Sequence, residues 1–72
     1  MKTANDLGAA LRARRKSLRL TQRDLAMTCG TGVRFIGDLE GGKATCQLGK
    51  TLEVIHSLGF RISLSNLADN IT

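Results

Sequence analysis

The chain has no proline, tryptophan or tyrosine, and its aromatic residues are limited to Phe35 and Phe60. Apolar residues make up 42% of the whole, so Leu, Ile, Val and Ala must fill any core. Cysteine is scarce. Cys29 and Cys46 lie far apart with no CxxC pair, and His56 is the one other soft ligand, so no metal is expected. One disulfide is the most that two thiols allow. No secretory segment is recognisable ahead of the first helical pattern, and a reduced, cytoplasmic chain is expected. Apolar runs fall short of the roughly 18 residues that cross a bilayer, so a soluble protein with no membrane partner is expected. Length excludes more. A chain of 72 residues is one domain with a thin core, without room for a large cleft between lobes. With disulfide and metal set aside, association between subunits is the remaining stabiliser for so small a domain.

Acidic residues are also few, 6 against 11 Lys and Arg, for a net charge of +5. That balance on a small surface is what a polyanion binder carries, although a generally basic soluble protein shares it.

Leu7, Ala10, Leu11, Arg14 and Leu18 recur at spacings of three and four, which predicts a first helix over 4–18 with its leucines on one stripe. Thr3 is its expected N-cap, with Asp6 in the position of a weaker capping box and cations in the last turn. Thr21 opens a second, short helix in which Leu25 and Ala26 face inward before Gly30 stops it. Val33, Ile36 and Leu39 mark a third helix over 33–40, ended by Gly41 and Gly42. A fourth is expected over 47–58, with Leu48, Leu52, Ile55 and Leu58 inward, Thr45 as a cap and Gly59 as its stop.

Beyond Gly59 the period changes. Phe60, Ile62 and Leu64 are apolar while Arg61 and Ser63 are polar, the alternation of a strand. Its backbone groups would be satisfied by pairing with the same segment of a second subunit. The competing reading is an extended tail that covers the helical core. Residues 66–72 carry no firm pattern and are expected as a tail open to disorder.

Two short helices joined by a Gly-containing turn, the second presenting its surface outward, are the helix-turn-helix geometry that places the second helix in the major groove. The run LTQRDLAMTCGTGVRFIGDLEGGK, Leu20 to Lys43, resembles the lambda repressor, Cro and Xre family through Thr21-Gln22, Leu25-Ala26, Gly30, Ile36, Leu39-Glu40 and Gly42-Lys43. The flanking helices extend this resemblance to about residue 59, and the 60–64 segment is similar to HipB-type antitoxins. The resemblance implies an all-α, lambda-repressor-like bundle of four to five short helices with a C-terminal β-strand pairing across a dimer. Residues 1–59 would form the DNA-binding domain and 60–65 the dimerisation strand, comprising Phe60, Arg61, Ile62, Ser63 and Leu64. It also implies a non-enzymatic repressor on double-stranded operator DNA, acting as a homodimer, with a HipA-like serine/threonine kinase toxin as partner. A pure protein-interaction module, or a plain Xre-type repressor without a toxin, are the alternatives.

The resemblance further assigns residues. Thr21 and Gln22 would meet the DNA backbone or a base edge at the positive end of the second helix. Readers on the third helix would be Gly32, Val33, Arg34, Gly37 and Asp38, of which Arg34 and Asp38 alone are polar. Arg34 suits guanine O6 and N7, or else a phosphate; Val33 suits a thymine methyl, or else a half-buried site. Asp38 would accept from cytosine N4 or orient Arg34 one turn earlier, orientation being favoured. Lys43, Thr45 and Lys50 follow on the phosphate side, while Arg15 and Glu40 hold the family's structural ion pair. Arg12, Arg14, Lys16 and Arg19 are expected by default as solvated face charges, the alternative for some being to flank the phosphates or meet an acidic partner.

Catalysis finds no support. Gly37 to Ala44 approaches a P-loop, but Ala44 stands where a Ser or Thr would ligate magnesium and no strand precedes it. Gly49-Lys50-Thr51 lacks the upstream glycine, and His56 has no nucleophile or carboxylate beside it. No cofactor or small-molecule ligand is expected.

Overall fold

The computed structural model describes residues 2–64. Four helices follow one another, α1 over Ala4–Ser17, α2 over Gln22–Cys29, α3 over Val33–Glu40 and α4 over Leu48–Ser57. Local chemistry starts the first two. Thr3 Oγ1 accepts from the Asp6 amide at 3.1 Å and Asp6 returns a carboxylate oxygen to the Thr3 amide at 3.2 Å. Thr21 and Asp24 repeat this reciprocal box on α2, at 3.0 and 2.9 Å. Each box satisfies amides that the first helical turn leaves without partners. Gly30 ends α2 in the left-handed region, φ 67°, where a Cβ would be strained, and only Gly30, Thr31 and Gly32 separate α2 from α3.

The core is aliphatic, as the shortage of aromatics requires. Leu11, Leu25, Ala26, Ile36, Leu39, Val54, Ile55 and Leu58 form one buried cluster drawn from all four helices and the α4 cap. α3 packs against both α1 and α2, and α2 packs on α4. At the α1–α3 crossing stands Gly8, where a Cβ would come within 2.5 Å of the Leu39 carbonyl oxygen and 2.6 Å of that of Glu40. A helix-interior glycine costs about 1 kcal/mol against alanine, and here the close approach of two backbones requires it.

The structure corrects three expectations about packing. Leu18 is not on the inner stripe: it is 41% exposed, because it caps α1 and the chain turns away through Arg19 at φ 59°. α4 is capped by Gln47 rather than Thr45, with no side-chain cap bond. Its buried face is Thr51, Val54, Ile55 and Leu58, while Leu48 is 71% exposed and Leu52 half-buried. A threonine fits that apolar face because its hydroxyl donates to the Gln47 carbonyl at 2.8 Å.

Among the described residues no strand forms. Phe60 donates its amide back to the Ile55 carbonyl at 3.1 Å, and 61–64 continue without regular structure. Within one chain a single strand has no edge to pair with. Residues 60–63 line an apolar groove of about 250 Å³ with Leu7, Ala10, Leu11 and Ile55, and Leu64 stands almost fully exposed. The expected 66–72 tail, with residue 65, lies outside the described residues.

Candidate nucleic-acid interface

The surface that combines α2, the turn and α3 is built outward from one ion pair. Arg15 on α1 donates through Nε to Glu40 Oε2 at 2.6 Å and through its terminal nitrogen Nη2 to Oε1 at 3.0 Å. Its third contact is Nη1 to the Leu20 carbonyl at 2.7 Å. Both side chains are nearly buried, 9% and 4% exposed, so α1, the α1–α2 turn and the end of α3 are fastened together in a fork geometry that only arginine offers. Burial pushes the Glu40 carboxyl up, but hydrogen bonds from Arg15 and Gln22 and the charges of Arg15 and Arg12 outweigh it and hold it below the ordinary glutamate range. The same hydrogen bond to Glu40 raises Arg15 further above its already high value, against the effect of burial.

Gln22, the first residue of α2, joins this network. Its side-chain nitrogen donates to Glu40 Oε1 at 3.1 Å, which leaves it half-buried between α2 and α3. Thr21 is exposed beside it, with its hydroxyl oxygen occupied by the Asp24 amide. Asp24 itself is held below the ordinary aspartate range, first by the Thr21 amide, and so keeps a negative charge in the first turn of α2. The Gln22 and Arg23 amides precede the first intrahelical bond, Leu25 N–H to Thr21 O, and point off the helix end.

On α3 the expected readers separate into two groups. Gly32, Val33 and Arg34 are exposed at the N-terminal turn, Val33 at 40%, and Gly32 caps the helix without a side-chain bond. Gly37 and Asp38 are half-buried. Gly37 faces Gln22, whose Oε1 lies 4.0 Å from the place a Cβ would take. Asp38 does not orient Arg34. Its carboxylate pairs with Lys43 at 3.6 Å, because the Gly41–Gly42 turn returns the chain so that the Lys43 amide donates to the Asp38 carbonyl at 3.0 Å. Lys43 remains more than half exposed, and Thr45 is exposed in the loop. Lys50 lies 5.7 Å from the centre of the Phe35 ring, a cation–π placement that ties α4 to α3.

Of the arginines expected on the solvated face, Arg14 gains a partner within the fold, whereas Arg12 stays exposed. Arg14 donates through Nε to the Leu58 carbonyl at 2.9 Å, satisfying the end of α4. Its place on the stripe of Leu7 and Leu11 is the available signal for an inward role. Arg12 borders a crevice with Gln22, Gly37, Glu40 and Gly41, and no local spacing in the sequence marks that association.

No family model matches the chain. It is 48% identical over 64 residues, 89% of its length and 84% of the relative's, to an uncharacterized HTH-type transcriptional regulator, y4mF, of Sinorhizobium fredii (strain NBRC 101917 / NGR234). Among solved structures it matches a chain of a HipA-HipB-O2-O3 complex with a TM-score of 0.83 at 21% identity. The match covers 92% of this chain and 93% of that one, and at this identity the likeness is one of fold.

Proposed function

Because the chain belongs to the HTH-type transcriptional regulators, we propose that it is a homodimeric repressor on inverted-repeat operator DNA and the HipB-like antitoxin of an autoregulated toxin–antitoxin operon. The observation that carries the DNA reading is the N-terminal turn of α3, where Gly32, Val33 and Arg34 stand exposed while Ile36 and Leu39 anchor the other face in the core. Each subunit lays this turn in the major groove, and its twin lies about 34 Å away, one helical turn of DNA. Arg34 reads guanine; Thr21, Gln22, Lys43 and Thr45 meet the backbone; Phe60 to Leu64 pair across the dimer. The likeness to a chain of the HipA-HipB-O2-O3 complex supports a HipA-like kinase as protein partner.

A direct test uses duplex DNA from upstream of the protein's own coding region and a random duplex of equal length, titrated by fluorescence anisotropy. Arg34→Ala should lower the preference for the upstream duplex by about 1–3 kcal/mol for each subunit bound, the value of one bidentate guanine contact. An unchanged ratio would leave Arg34 as a phosphate contact.

One observation favours a second reading. Asp38 is tied to Lys43, so Arg34 is the one polar side chain left free among the expected α3 readers, and a module devoted mainly to binding a toxin would tolerate so sparse a reading face. Equal affinity for both duplexes, together with a stable complex with a kinase encoded next to it, would favour that reading.

A further inference from the structure

Between α1, α2 and α3 lies an open crevice of about 290 Å³, bordered by Arg12, Gln22, Gly37, Glu40 and Gly41. Its charge is not balanced. The Glu40 carboxylate is engaged by two of the three donating nitrogens of Arg15, whereas Arg12 is exposed and has no hydrogen-bond or ion-pair partner among the described residues. The crevice therefore carries the surplus positive charge of Arg12. Its hydrogen-bonding polarity is set as well. A carboxylate only accepts, so the Gln22 side chain must turn its nitrogen to Glu40, which leaves a second N–H on that nitrogen to donate. Two glycines, 37 and 41, keep the space free of side chains. Beside it, the leading amides of α2 point off the helix end.

We propose that this crevice seats a phosphodiester group of the DNA backbone, with Arg12 supplying the charge, the free N–H of Gln22 the directional bond, and Glu40 holding Gln22 in place. The inference rests on the DNA-binding reading above and adds a contact from α1, outside the helix-turn-helix. An open, singly charged site suits one phosphate of a passing strand.

Arg12→Ala and Arg12→Lys are compared with the unchanged protein on a random-sequence duplex and on a duplex selected by the protein from a random library, over a salt series. Loss of one phosphate contact lowers the slope of log affinity against log salt by about 0.9 for each subunit bound. At 0.1 M salt that is about an eightfold weakening per subunit, equal on the two duplexes. Arg12→Lys should restore the slope. A slope unchanged by Arg12→Ala overturns the assignment while leaving DNA binding intact. A changed preference between duplexes makes Arg12 a base reader, and a lowered unfolding temperature makes it scaffold; either result also overturns it. If the unchanged protein binds neither duplex, the DNA-binding reading fails first and the crevice assignment with it.

Discussion

The two ends of α3 are held in opposite ways. At its C-terminal turn Glu40 accepts three hydrogen bonds from α1 and α2, and Gly8 lets the α1 backbone lie directly on the Leu39 and Glu40 carbonyls. At its N-terminal turn Gly32 gives no side-chain cap, and Val33 and Arg34 are exposed. The helix is anchored at one end and presents the other. The exposed N-terminal turn has no side-chain cap of its own, so its position is set from the buried end.

This contrast can be broken by mutation. Arg15→Ala should have the largest effect, because it strands the Glu40 carboxylate nearly buried, and the loss should be about 3–5 kcal/mol in chemical denaturation. Gly8→Ala comes next. Despite alanine's higher helix propensity, the new Cβ meets two carbonyl oxygens, and about 1–3 kcal/mol of destabilisation is expected from the same measurement.

Acid should weaken the anchored end more gently. The folded-state Glu40 carboxyl titrates below its unfolded value, so its contribution is complete above the ordinary glutamate range and is lost as pH falls through the lowered folded value. Asp6 and Asp24 act in the same direction through their caps, so Glu40→Gln should reduce the acid slope of stability without abolishing it. The smallest effect has the opposite sign. At Gly37 a Cβ meets nothing nearer than Gln22 Oε1 at 4.0 Å, so Gly37→Ala should raise stability by up to about 1 kcal/mol in thermal unfolding. Destabilisation there would mean that the two ends of α3 are not as different as their contacts indicate.

Much of the fold is legible in the sequence where the signal is local. Thr3, Thr21 and Gly30 mark their helix ends through contacts within a few residues, and α3 runs over the expected 33–40. α4 is harder to read, because Leu48 and Leu52 lie at helical spacings from Ile55, which is truly inward, and Thr51 carries a hydroxyl that the helix itself satisfies. At the candidate interface Arg34 is exposed, whereas Asp38 turns to Lys43 because a glycine turn brings a lysine nearer than helical spacing alone suggests.

The sequence by itself determined four helical segments, the N-caps of the first two, an aliphatic core and a basic surface, since each depends on residue type and on neighbours one turn away. Only the tertiary structure decided how the polar side chains are employed. Arg14 reaches a carbonyl 44 residues along the chain, and Gln22 a carboxylate 18 residues along. Arg12 comes to a crevice bordered by three helices. Long side chains of one charge look alike in a sequence. Their partners are chosen by which helix ends the packed core brings within hydrogen-bonding distance.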